Sequence, residues 1–183
     1  MIYEIDAILT HWVNSWSGHC WLLDTFLVWV SSFGVPIMVL GVAGQWWVSK
    51  GRQHTRHILL AAGSSFLFGL ALNQVILLFV HRVRPYDAGL TNLLVAPSVD
   101  PSLPSDHAIA SFAISATFLV SSFHGASRFL AAAILISVSG VYKGTHYVSD
   151  VAGGVLTGLM AAAMVWWIDR EDTRVDRFMT GIL

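Results

Sequence analysis

From residue 58 to residue 80 the chain carries no charged side chain. At about 1.5 Å of rise per residue, that run can cross the roughly 30 Å of hydrocarbon in a bilayer. Hydrocarbon offers no substitute for a missing backbone hydrogen bond, so the run crosses as a helix. The rest of the chain agrees: 55% of its residues are hydrophobic and 11% charged, where a soluble domain usually carries about 25% charged residues. A water-soluble core is excluded, and 183 residues suit a single domain, 1–183, of several membrane helices. A net charge of −1 provides no electrostatic footprint for nucleic acid, so the bilayer is the expected partner. Cys20 is the only cysteine, which rules out an intrachain disulfide. Residues 1–20 hold Glu4 and Asp6 but no Lys or Arg, so they lack the basic start of a cleaved signal peptide.

Between residues 3 and 16, Ile5, Ile8, Leu9, Trp12, Val13 and Trp16 recur at helical spacing, with Glu4, Asp6, His11 and Asn14 between them. This pattern predicts an amphipathic helix lying in the membrane interface rather than crossing it. Residues 21–47 are apolar apart from Asp24, Ser31, Ser32 and Gln45, with Gly34-Val35-Pro36 as an interruption. We expect a short helix to Phe33 and a first span over 36–48, the alternative being one long kinked helix. Further spans are predicted over 58–80, 105–123, 129–142 and 151–168. Asn73 and Gln74, inside the second, should face other helices. Gly154 and Gly158 either permit close helix packing or simply fit, and the tail 169–177 reads as a solvated helix end. The fold class is therefore all-α: a polytopic transmembrane bundle of five to six spans plus an N-terminal interfacial helix. Its oligomeric state is not readable.

With five spans, Lys50, Arg52, Arg56, Arg128, Arg170, Arg174 and Arg177 fall on one side, leaving Arg82, Arg84 and Lys143 on the other. The positive-inside rule places the first group in the cytoplasm. Arg84, Pro104-Ser105-Asp106-His107 and the connection 143–150 then share the extracytoplasmic face of a multi-pass protein of the cell membrane.

These polar stretches have a common chemistry. A helix N-terminus at Ser105 offers free backbone N–H groups to an anion, and the Ser105 hydroxyl adds a donor. Arg84 presents planar donors that match phosphate oxygens, and Pro85 biases it toward an extended conformation. His146 and Asp150 share one face if helical, so the carboxylate can hold the imidazole in one tautomer. An oriented histidine is a nucleophile toward phosphorus or a base for water, and His107 could protonate a leaving oxygen. Each part also has a plainer explanation. Ser105 with Asp106 is a helix cap, Arg84 an interfacial anchor, His107 a surface residue, and His146 with Asp150 a structural bond or a pair of metal ligands. Asp106 could also partner a basic residue. The conjunction at one face favours the chemical reading.

Arg84-Pro85, Pro104-Ser105-Asp106-His107 and His146-Tyr147-Val148-Ser149-Asp150, in that order, resemble the three motifs of the type 2 phosphatidic acid phosphatase superfamily. Asn73-Gln74 before Val83-Arg84-Pro85, and Asp rather than Gly before His107, are most similar to its bacterial undecaprenyl-diphosphate phosphatase branch. The resemblance implies a helical membrane bundle that dephosphorylates a lipid through a phosphohistidine, with no metal and no cofactor. It implies His146 as nucleophile, Asp150 as its orienter and His107 as general acid. Arg84 and Ser105, with the Asp106 and His107 amides, would hold the phosphate. The chain departs from the family pattern twice. Leu77 stands where a lysine is usual, with Arg82 as a substitute charge. Gly140 follows Ser139 where an arginine usually clamps phosphate, with Lys143 one turn on as a partial replacement.

The expected function is hydrolysis of a polyprenyl diphosphate at the extracytoplasmic face. The alternatives are a phosphatase of phosphatidic acid or another glycerophospholipid phosphate, a lipid-phosphate binder or transporter that lost catalysis with the Gly140 arginine, and a metal-dependent hydrolase using His107, His146 and Asp150.

Overall fold

The computed structural model describes residues 2–48 and 53–169 together with Thr173, Arg177 and Thr180. Six helices account for most of them, with no strand among the described residues: α1 (Ile2–Asn14), α2 (Trp21–Val48), α3 (Gln53–Leu77), α4 (Asp106–Val120), α5 (Ala126–Tyr142) and α6 (Val148–Ile168). Lys50, Arg52, Arg170 and Arg174 lie outside the described residues, as does most of the predicted solvated tail.

α2, α3 and α6 are long and apolar enough to cross a membrane, whereas α4 and α5 have 15 and 17 residues. α4 is the central helix, packed on α3, α5 and α6. Its buried positions are mostly small, including Ala108, Ala110, Ser111, Ala113, Ser115 and Ala116. The predicted break at Gly34-Val35-Pro36 is corrected: α2 is one helix of 28 residues with Pro36 inside it. A break would expose backbone groups to hydrocarbon, which costs more than the single hydrogen bond that proline removes. The glycine has a separate purpose, since a Cβ at Gly34 would fall 2.5 Å from Ile136 Cγ1 on α5.

Close approach also decides the Gly154/Gly158 question. A Cβ at Gly154 would lie 2.7 Å from the Ser105 carbonyl, and one at Gly158 2.7 Å from the Ile109 carbonyl. The pair lets the α6 backbone rest directly on α4. On the other side, the Thr117 hydroxyl bonds Ser65 Oγ of α3 at 2.9 Å. Asn73 is buried against α4 as expected, but Gln74 is exposed. Trp21, Leu22, Leu40, Trp47 and Trp167 are exposed on the outside of the bundle, where lipid replaces water as their solvent.

Because successive helices alternate in direction, the end of α3, the start of α4, the end of α5 and the start of α6 converge at one end of the bundle. Gly158→Ala should push α4 and α6 apart, an overpacking cost of about 1–3 kcal/mol. Thermal melts in detergent should show a fall of several degrees, while Gly63→Ala, which meets nothing within 4 Å, leaves the midpoint in place.

Candidate active site

The segment 78–105 folds over the convergent helix ends and is pinned to them by backbone bonds. Leu94 N–H donates to the Lys143 carbonyl at 3.1 Å and Ser105 N–H to the Asp150 carbonyl at 3.2 Å, while Ser102 N–H closes the segment on itself by donating to the Arg82 carbonyl at 2.9 Å. Ser105 takes the extended conformation of an N-cap residue, but its hydroxyl makes no capping bond. The first turn of α4 therefore keeps its amides, and the Ser105 hydroxyl is not spent on them.

His146 does not share a helical face with Asp150, as its spacing suggested. It sits just before the N-cap Tyr147, and Asp150 is the third residue of α6, its Oδ2 accepting the Tyr147 N–H at 2.8 Å. Imidazole Nδ1 lies 2.9 Å from the Ser102 carbonyl and 3.8 Å from Asp150 Oδ2. A carbonyl can only accept, so Nδ1 carries the proton and Nε2 keeps its lone pair for attack. The direct orienter is thus the backbone of Ser102, with Asp150 behind it. The Ser102 hydroxyl in turn donates to Asp150 Oδ2. No sequence signal singled out Ser102, because its part is played largely by a carbonyl that every residue has.

The basic residues divide sharply. Arg84 donates to three neutral carbonyls, Nε to Asp100 at 2.8 Å, Nη1 to Thr145 at 3.1 Å and Nη2 to Pro101 at 3.5 Å, so its charge is held but not cancelled. Lys143, half-buried at the end of α5, has no carboxylate partner among the described residues. Burial, and after it the Arg84 charge, push its ammonium down to about 8.

Arg82, also expected among the phosphate ligands, is already paired with two carboxylates. Its Nη2 meets Asp6 Oδ2 at 2.7 Å, its Nη1 meets Asp150 Oδ1 and Ser149 Oγ at 2.6 Å each, and its guanidinium covers the Tyr147 ring at 3.8 Å. Burial works against this charge, but Asp6 and Asp150 outweigh it and raise the Arg82 pKa. The arginine braces Asp150 from behind. Asp6 and Ser149 were also missed, although Asp6, Thr10 and Asn14 form a polar stripe at intervals of four that the sequence displays.

His107 is half-buried in the first turn of α4, near the Ser31 backbone of α2 and within electrostatic reach of Lys143, His146 and Arg84. Asp106 is exposed and accepts a hydrogen bond from Asn73 Nδ2. Gly140 faces His146: a Cβ there would lie 3.4 Å from its Cδ2. No group of three His, Cys, Asp or Glu side chains among the described residues is arranged to hold a metal ion.

A histidine with a fixed tautomer, an open helix N-terminus, a second histidine and two uncancelled cations can bind a phosphate and attack it. The comparisons with known proteins agree. A family profile described as the PAP2 superfamily matches residues 58–174. The chain is 27% identical over 160 residues to undecaprenyl-diphosphatase BcrC of Bacillus subtilis, covering 87% of this chain and 80% of that one. It is 32% identical over 155 residues to phosphatidylglycerophosphatase B of the same organism, covering 79% and 71%. The crystal structure of the first transmembrane PAP2 type phosphatidylglycerolphosphate phosphatase from Bacillus subtilis superposes with a TM-score of 0.67 at 25% identity, over 94% of this chain and 88% of that one. The family match includes the loop, α4 and the start of α6 that build the site, and on that ground the chain belongs to the PAP2 superfamily of membrane lipid phosphatases.

Proposed function

We propose that the protein removes the terminal phosphate of a polyprenyl diphosphate, undecaprenyl diphosphate first among them, at the extracytoplasmic face. The observation that carries this reading is the pairing of a tautomer-locked His146 with Arg84 and Lys143, two cations with no carboxylate in ion-pair contact among the described residues. Undecaprenyl diphosphate is the substrate named for a relative that covers most of this chain. Arg56 and Arg128, at the opposite end of the bundle, support placing the site outside.

In the first step His146 Nε2 attacks the terminal phosphorus, and the bond from phosphorus to the bridging oxygen breaks. His107 gives its proton to that oxygen, which leaves on the lipid monophosphate. Arg84, Lys143, the Ser105 hydroxyl and the Asp106 and His107 amides take the charge on the equatorial oxygens. In the second step water attacks the phosphohistidine and gives a proton to His107. Inorganic phosphate leaves, and Nε2 regains its lone pair. No metal takes part, because a divalent cation would have to sit beside Arg84 and Lys143. An apolar groove of about 660 Å³ between α2 and α5 suits the first part of the hydrocarbon chain. It includes Ile136, four residues and about one turn below Gly140.

A second reading is favoured by the 32% identity to phosphatidylglycerophosphatase B: a glycerophospholipid phosphate as substrate. Phosphate release from undecaprenyl diphosphate, phosphatidic acid and phosphatidylglycerol phosphate, measured side by side in detergent with a strong chelator present, separates the two. Undecaprenyl diphosphate should turn over fastest, with the chelator having no effect. Preferred turnover of either glycerophospholipid would reverse the assignment. In the same assay, His146→Ala should abolish release while the protein still melts cooperatively. Full activity in that variant would remove the nucleophile.

Gly140→Arg tests whether the missing clamp limits the rate. Its Cβ fits at ordinary contact distance from His146. One transition-state donor is worth about two orders of magnitude or more in rate, so a clear gain is expected. No phosphate release from either form would support a lipid-phosphate binder.

Lys143 adds a pH dependence. Its folded pKa is lowered, so the cation is present below about 8 and lost as pH rises through that value. The KM for the lipid phosphate should therefore climb across that interval, and Lys143→Arg should flatten it. A wild-type KM that stays constant between about pH 7 and 9 would remove Lys143 from the phosphate site.

A further inference from the structure

α1 turns its polar side inward. Asp6, Thr10 and Asn14 are buried, while Ile5, Ile8, Trp12 and Trp16 are exposed. Each buried side chain grips a segment of the site. Asn14 Nδ2 donates to the Tyr142 and Asn92 carbonyls at 2.8 and 2.9 Å, and Thr10 Oγ1 accepts the Val148 N–H at 3.0 Å. Asp6 Oδ1 accepts the Ser149 N–H at 2.9 Å, and its Oδ2 pairs with Arg82.

The Asp6 contact differs in kind from the other two because it changes the charge facing His146. Arg82 bridges Asp6 and Asp150, each within 2.7 Å. Arg82 and Asp150 alone would sum to zero, and the guanidinium on Oδ1 would offset much of the charge that Asp150 presents to the imidazole 3.8 Å from Oδ2. With Asp6 the cluster carries one net negative charge. That charge matters in the transfer step: attack through Nε2, with Nδ1 still protonated, leaves the phosphorylated ring cationic. A negative cluster on the Nδ1 side stabilises that cation, while the phosphate side is held by cations.

We infer that Asp6 is a positioning residue for the phosphoryl-transfer step, acting through Arg82 to keep the Asp150 cluster negative toward His146. The inference rests on the phosphohistidine reading above and assigns α1 a part in turnover beyond packing.

The test compares turnover of wild type, Asp6→Asn, Asp6→Asn with Arg82→Gln, and Thr10→Val, per folded molecule and with a thermal midpoint for each. Asp6→Asn makes the cluster neutral and should lower kcat about ten- to a hundredfold with KM little changed, the scale on which loss of an orienting partner acts elsewhere. Removing the Arg82 charge as well restores one net negative charge, so the double variant should regain most of that kcat per folded molecule, while its thermal midpoint falls with the loss of the Arg82–Asp150 pair. Thr10→Val cuts a different α1 bond and should lower the midpoint without lowering kcat.

A purely structural clasp predicts the opposite order, with the double variant worst. That order, or an Asp6→Asn kcat within about twofold of wild type, would overturn the inference. If Asp6→Asn does not fold, the double variant is judged against Thr10→Val. Near wild-type turnover supports the charge account, and lost turnover refutes it. The substrate is whichever lipid phosphate the wild type hydrolyses fastest, so an error over the lipid leaves this test standing. A wild type inactive on every lipid phosphate would overturn the phosphatase reading and this role together.

Discussion

Asp150 has no exposed surface, and its partners come from three places. Arg82 reaches it from the start of the loop after α3, Ser102 from the end of that loop, and the Tyr147 N–H from the turn that begins α6. A buried carboxylate stripped of one such partner costs about 3–5 kcal/mol, so these segments are bound to arrive together. Their assembly puts the Ser102 carbonyl against His146 and the Ser105 amide against the Asp150 carbonyl. The geometry of His146 thus follows from satisfying one buried charge.

The same requirement sorts the cations. Asp6 and Asp150 are both taken by Arg82, which leaves Arg84 with carbonyls alone and Lys143 with no carboxylate among the described residues. That imbalance leaves Arg84 and Lys143 as the cations suited to an anion, since a guanidinium already paired with carboxylates has little to offer a phosphate. Behind the site, the Gly154 and Gly158 contacts set how closely α6 lies on α4. The separation of His146 from the amides at the start of α4 therefore depends on two residues without side chains.

Much of the fold was legible because lipid makes local pattern decisive: an uncharged run of sufficient length has a helix as its way through hydrocarbon. Helices α3 to α6 fall close to their predicted positions for that reason. The break in α2 was misjudged because proline and glycine usually punctuate chains in water, where an interrupted backbone can be solvated. Of the site, His146, Asp150, Arg84, His107 and Ser105 were legible as residue types at span ends. The pairing of Arg82 with two carboxylates was not legible, because a cation two residues from Arg84 cannot be told from it until its carboxylates are known. Ser102 was invisible because it acts chiefly through its backbone.

By itself the sequence determined that this is a helical membrane protein and that its candidate phosphate-binding residues gather at one end. Hydropathy, helix-end amides and ionisable side chains are properties carried by short stretches of chain. Only the tertiary structure decided which carboxylate meets which cation, which carbonyl sets the tautomer of His146, and that α1 turns its polar face toward the site. Those outcomes depend on pairings such as Asp6 with Arg82 and Ser102 with His146, between residues 76 and 44 positions apart. Burial strengthens each of these contacts and makes leaving them unmade costly, and a linear pattern does not encode which groups are buried together.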